Sequence, residues 1–176
     1  TLLTIVIVLT PLFGQSWTEH EIDADLSGAW TVYAVDVDGD GDMDVLGGAF
    51  NAIIWWENDG SPATGDWPEH TIDTDFDISY SVYAADVDGD GDMDVLGAAY
   101  WHDDITWWEN DGSPATGDWP EHRIDGSFRE AYSVYAADVD GDGDMDVLGA
   151  SFYLDDISWW ENDGSPATGT WTEHSI

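Results

Sequence analysis

The chain contains no cysteine and no lysine, and its only basic side chains besides histidine are Arg123 and Arg129, in 176 residues. Without cysteine there is no disulfide framework and no redox clue to the compartment. Thirty-nine acidic residues stand against the two arginines, for a net charge of −37. Such a surface repels phosphate backbones, which excludes nucleic acid as a partner. It also repels anionic membrane surfaces and suits a medium rich in salt or divalent cations, where screening is strong. No Asn-x-Ser/Thr sequon occurs.

Long apolar runs are scarce as well. Residues Thr1–Phe13 form the one strongly apolar run, shorter than the roughly 20 residues of a spanning helix, so no membrane span is expected. Its length fits the apolar region of a signal peptide, but there is no initiator Met, no basic n-region and no clear small-residue cleavage site before Ser16. Residues 1–16 are therefore read as an apolar N-terminal arm. It is either signal-like or inserted into a neighbouring subunit, as a strand or as a helix.

What the chain has in abundance is aspartate at fixed spacing. The stretch Asp36-Val37-Asp38-Gly39-Asp40-Gly41-Asp42-Met43-Asp44 returns unchanged as Asp86–Asp94 and as Asp138–Asp146. Carboxylates at positions 1, 3, 5 and 9 converge only if the backbone curls around a centre. Glycine at position 6 permits that curl, and the carbonyl at position 7 can then point inward. So many hard oxygen ligands suit Ca²⁺, which takes six to eight, better than Mg²⁺, which keeps its waters. Three Ca²⁺ sites follow, one per copy. The side-chain ligands are Asp36, Asp38, Asp40 and Asp44, then Asp86, Asp88, Asp90 and Asp94, then Asp138, Asp140, Asp142 and Asp146. Asp42, Asp92 and Asp144 contribute carbonyls. The loop is not an EF-hand, because position 12 is Gly47, Gly97 or Gly149 rather than glutamate.

The flanks of each loop, such as Ser-Val-Tyr-Ala-Ala before and Val-Leu-Gly-Ala after, read as strands. A Ca²⁺ loop between two strands, recurring about every 50 residues, resembles the FG-GAP/VCBS repeats of integrin-type β-propellers. Asp86, Asp88, Asp90, Gly91, Asp94 and the following Val-Leu-Gly-Ala-Ala carry the resemblance, with equivalents in the other copies, and it covers roughly residues 17–176. It implies one four-stranded blade per repeat with a structural Ca²⁺ between its first two strands. It implies little about a specific activity, since such repeats serve adhesive, ligand-binding and ancillary roles. Because extracellular Ca²⁺ modules bind at about 10⁻⁴–10⁻³ M, the loops point to an extracellular or cell-surface location. At roughly ten to a hundred times Kd, each ion would add about 1.4–2.7 kcal/mol of stability.

The phrase Trp-x-Glu-His-x-Ile begins at Trp17, Trp67, Trp119 and Trp171, and each full unit between holds four strand-like segments. Units of about 23–72, 73–124 and 125–176 follow, preceded by an orphan fourth-type strand at 17–22. In the second unit the strands are expected at Ser81–Asp86, Asp94–Tyr100, Asp104–Glu109 and Trp119–Ile124. Residues 110–118 should form an exposed turn-rich loop.

Each third strand carries paired tryptophans, Trp55–Trp56, Trp107–Trp108 and Trp159–Trp160. Adjacent strand residues face opposite ways, so the pairs suit sheets buried on both faces, with a sugar-stacking platform as the alternative. The Glu-His pairs recur four times, which suits a structural role better than one catalytic constellation. His102, with Asp103 and Asp104, breaks the repeat and reads as a loop histidine. The arginines are expected in local ion pairs. Nothing resembles a nucleophile elbow, a phosphate-binding glycine loop or a zinc motif, and no enzymatic activity is expected.

Three blades are too few to close a ring, since closed propellers have about four to eight. The expected fold is all-β, three antiparallel propeller-type blades left open and completed by neighbouring subunits or further sequence. Apolar end faces of this kind are interfaces. A homo-oligomer, head-to-tail and held by the terminal blades and the N-terminal arm, is the leading expectation; a small ring is allowed, but an open helical filament needs no special rotation angle and is favoured. The alternative is part of a larger propeller acting as an adhesin or as a glycan- or protein-binding module.

Overall fold

A computed structural model describes residues 17–176; the readings made above for the apolar arm fall outside the described residues. Among the described residues twelve strands form three separate four-stranded antiparallel sheets, each built from consecutive strands. The first blade contains β1 (Thr31–Val35), β2 (Asp44–Gly48), β3 (Ile53–Trp56) and β4 (Glu69–Asp73). The second contains β5 (Ser79–Ala85), β6 (Asp94–Ala99), β7 (Asp104–Trp108) and β8 (Glu121–Asp125). The third contains β9 (Ala131–Ala137), β10 (Asp146–Ser151), β11 (Asp156–Glu161) and β12 (Thr172–Ser175). The first strands lie beside one another, β5 between β1 and β9, so the sheets fan out from them.

In the second blade two strand starts differ from expectation by two residues and four strand ends by one. β5 begins at Ser79 because a bulge at Tyr80 lets Ser79 pair with Ala99 and Ser81 with Ala98. β8 begins at Glu121 because Pro120 has no N–H for the ladder; its carbonyl instead accepts from Glu109 N at 3.0 Å. Residues 17–22 form no strand, and Trp17 is 92% exposed. They carry the residues of a fourth strand, but among the described residues no third strand offers them an edge. Ile22 and Leu26 lie instead beside Trp56 on the outer face of the first sheet.

The core lies between blades. One cluster joins Leu46, Ile53 and Trp55 of the first blade to Phe76, Val95 and Trp108 of the second. The other joins Leu96, Ile105 and Trp107 of the second to Phe128, Val147 and Trp160 of the third. The period-two geometry of a strand thus sends Trp107 and Trp108 into different cores. Because Trp55, Trp56, Trp107, Trp108 and Trp160 are all buried, they offer no platform for a sugar. Glycine makes the close packing around them feasible: a Cβ on Gly97 would lie 2.7 Å from Phe76 and 2.9 Å from Trp108.

Among the described residues the stack ends open on both sides. Val32 on the outer face of the first blade is 71% exposed, whereas its equivalents Val82 and Val134 are 5% and 4% exposed. On the outer face of the third blade Ile157 is 55% exposed, while Ile53 and Ile105 are fully buried.

Candidate metal centres

Each aspartate-rich stretch joins the first two strands of its blade and wraps on itself. Gly39 and Gly41 take φ of 74° and 101°, a left-handed backbone closed to most side chains. Successive carboxylates hold the curl by accepting from amides two residues on. Asp38 accepts from Asp40 N at 3.1 Å and Asp40 from Asp42 N at 2.8 Å, while Asp36 reaches Gly41 N at 3.0 Å. The second and third loops repeat these turns.

Carboxylate oxygens of Asp36, Asp38 and Asp40 come within 4.8 Å of one another, as do those of Asp86, Asp88 and Asp90, and those of Asp138, Asp140 and Asp146. Asp142 lies outside the third trio, and its Oδ1 accepts from Asp144 N at 2.9 Å. Asp42, Asp92 and Asp144 direct their carboxylates to the corner between the third and fourth strands, where a Cβ on Gly60 would stand 2.9 Å from Asp42 Oδ2.

The position-nine aspartates do a second task that spacing did not disclose. Asp44, Asp94 and Asp146 are fully buried. Asp94 Oδ2 accepts from Val87 N at 2.8 Å and Oδ1 from Asn110 N at 2.9 Å, so one carboxylate clamps the loop's start to the far corner of the blade. Asp44 and Asp146 make the same pair of bonds. Burial pushes the Asp94 carboxyl up to about 7, against the two amides that favour its ionised form. Burial also raises Asp38 and Asp88, and neighbouring carboxylates add to it, Glu57 beside Asp38 and Glu109 beside Asp88.

A hard divalent cation fits this arrangement. The donors are all oxygen, and Asp36 Oδ1 is buried with no hydrogen-bond partner. An orphaned carboxylate oxygen beside two further carboxylates is a ligand in position, and a cation there would relieve both its isolation and their repulsion.

Buried asparagines tie the corners of the second and third blades to two loops each. Asn110 Nδ2 donates to Met93 O at 3.2 Å within its blade and to Val37 O of the preceding blade at 3.3 Å. Asn162 repeats this with Met145 O and Val87 O. The histidines of the Glu-His pairs are structural in the three blades. His122 stacks on Trp107 with centroids 4.4 Å apart and meets Glu109 at 2.9 Å. His70 and His174 do likewise on Trp55 and Trp159. Sequence adjacency hid this, because the partner glutamate is 13 residues away rather than next door. His102 lies 3.6 Å from Asp77. Arg123 pairs with Asp104 at 3.1 Å, whereas Arg129 stands 3.7 Å above the Tyr153 ring in a cation–π contact instead of an ion pair.

Three fanned four-stranded sheets, each with an acidic loop at its first turn, define a β-propeller-type blade array. The chain belongs to the FG-GAP-like repeat family, whose model matches residues 36–97 and 87–149. Among solved structures, an Agrocybe aegerita lectin described by its recognition of non-reducing terminal N-acetylglucosamine is similar, with 18% identity and a TM-score of 0.56. That match covers 86% of this chain and 39% of the lectin chain, and at this identity it shows the fold alone. A comparison with curated proteins gives no significant match. Among the described residues no helix is long and apolar enough to cross a membrane.

Proposed function

We propose that this chain is a non-enzymatic, calcium-binding structural protein of the extracellular space whose open blade faces dock on one another in successive copies. The observation that carries this reading is the contrast between equivalent residues: Ile157 and Val32 stand exposed where Ile105 and Val82 are buried. Sheet faces built for burial on both sides need a further blade on each end. Calcium is supported by the three carboxylate trios and the orphaned Asp36 Oδ1. Millimolar calcium outside cells supports the location. The non-enzymatic reading rests on the repeated polar side chains, which are engaged in the same structural bonds in every blade.

Sedimentation velocity over a range of protein concentrations in millimolar Ca²⁺ tests the reading. Reversible association that weakens on chelation is expected, and a monomer throughout would contradict it.

A second reading, a glycan-binding module of a larger propeller, draws on the lectin's fold and on exposed aromatics at the second-to-third-strand hairpins. Trp101, Phe152 and Tyr153 are 61%, 69% and 52% exposed. Glycan-array binding abolished by Trp101→Ala would favour it.

A further inference from the structure

We propose that the seam between the second and third blades is a site of covalent modification, where one-electron oxidation joins Tyr83 to Tyr135 and Tyr80 to Tyr132 as dityrosine. This shares only the extracellular location with the reading above. Both partners of each pair lie within described blades, so the site does not depend on what covers the ends of the stack.

Tyrosine is placed unevenly in this chain. Six of its seven tyrosines have another tyrosine ring as a neighbour, with centroids 4.9 Å apart for Tyr33 and Tyr83, 4.3 Å for Tyr83 and Tyr135, 4.8 Å for Tyr80 and Tyr132, and 5.1 Å for Tyr80 and Tyr100. The seventh, Tyr153, lies against the Arg129 guanidinium instead.

Two of these contacts fall side by side on one seam. The strands β5 and β9 are neighbours but belong to different sheets, so no main-chain ladder joins them. Val134 N donates to Ser81 Oγ across the gap at 3.2 Å. In a regular strand, residues three apart face opposite ways. A bulge changes this in both strands, at Tyr80 in β5 and at Tyr132 in β9, and a bulge re-aims its side chain. Tyr80 and Tyr83 thus both meet β9, and Tyr132 and Tyr135 both meet β5. The rings of Tyr80 and Tyr132 are stacked within 19°, and those of Tyr83 and Tyr135 are tilted by 44°. Tyr132 and Tyr135 are each 51% exposed, while Tyr80 and Tyr83 are half-buried. Each pair therefore has one ring open to a small diffusible oxidant and a second ring held against it.

The chemistry needs proximity and an electron acceptor. Oxidation removes one electron and the phenolic proton from each tyrosine, and the two phenoxyl radicals couple between ring carbons ortho to oxygen. Each ortho hydrogen then moves to its oxygen, which restores two phenols. The two electrons and two protons released reduce one hydrogen peroxide to two waters at a haem peroxidase. The chain has no cysteine, so the disulfides that brace many small extracellular domains are closed to it. A carbon–carbon bond between blades serves the same end.

The full-length chain, dilute and in millimolar Ca²⁺, is treated with a haem peroxidase and hydrogen peroxide and then cleaved at its acidic residues. The expected product has the mass of one chain on a denaturing gel and the fluorescence of dityrosine. Its peptide carrying Tyr80 and Tyr83 should be joined to the peptide carrying Tyr132 and Tyr135. Before cleavage its melting temperature should lie roughly 5–15 °C above the untreated protein, as for other cross-links that close long loops. Tyr135→Phe and Tyr132→Phe should each remove one bond, and together abolish the joined peptides, while keeping the circular dichroism of the parent. Tyr153→Phe should change nothing. Dityrosine undiminished by the double variant, or joined peptides that carry Tyr153, would overturn the assignment. So would cross-links between chains alone, or none at all under conditions that convert free tyrosine. None of these results bears on self-docking, which sedimentation reads separately.

Discussion

The side-chain amide of Asn110 donates to the carbonyl of Val37, 73 residues earlier, at 3.3 Å. Val37 is the second residue of the first aspartate loop, and Asn110 sits at the corner of the second blade. The first and second loops are therefore each held by the blade that follows, and loop order and blade docking are coupled there through one buried amide.

Asn110→Ala leaves the Val37 carbonyl without this donor in a buried junction. Chemical denaturation should show a loss of about 1–3 kcal/mol. Asn58→Ala should cost less, because Asn58 makes no bond to a preceding blade among the described residues. Equal losses for the two would show that the inter-blade bond contributes little.

Gly97→Ala tests the packing between blades. The added methyl would lie 2.7 Å from Phe76 and 2.9 Å from Trp108, both held in the first junction. Overpacking of this kind costs roughly 1–3 kcal/mol. A thermal melt indistinguishable from the parent would mean that the blades separate easily.

The buried Asp94 carboxylate gives the metal-free protein an unusual pH response. Asp94 is raised by burial from 3.8 to about 7 in the folded chain. In this window the folded state holds a proton that the unfolded chain has released, so stability falls as pH rises from about 4 to about 7. Saturating Ca²⁺ should reverse the slope, because the ion binds ionised carboxylates. Melting temperatures at both ends of the window, in chelator and in Ca²⁺, check the sign. Parallel slopes in the two conditions would exclude Asp94 as the coupled group.

The sequence disclosed what is periodic and local. Identical aspartate spacing revealed the loops, and adjacent tryptophans revealed sheets buried on both faces. Both signals lie within nine residues or fewer, where backbone geometry alone fixes which side chains can meet. The missed contacts are long-range. Nothing near Asn110 marks it as a tie to Val37, and nothing near Asp94 marks it as a clamp on residue 110. Glu109 meets His122 only once β7 and β8 pair. Residues 17–22 misled for the converse reason: they repeat the fourth-strand phrase without a neighbouring strand to pair with, and a strand is a property of its partner as much as of its own residues. Arg129 was read by charge alone, but the Tyr153 ring lies over it.

Calcium is the centre of this account, and calorimetric titration of the chelator-stripped protein tests it most directly. The account predicts three Ca²⁺ per chain, with affinity in the roughly 10⁻⁴–10⁻³ M range of extracellular modules and a higher melting temperature on saturation. Asp86→Asn combined with Asp88→Asn should remove one equivalent and leave two. An absence of binding heat, with a melting temperature indifferent to millimolar Ca²⁺, would contradict the account.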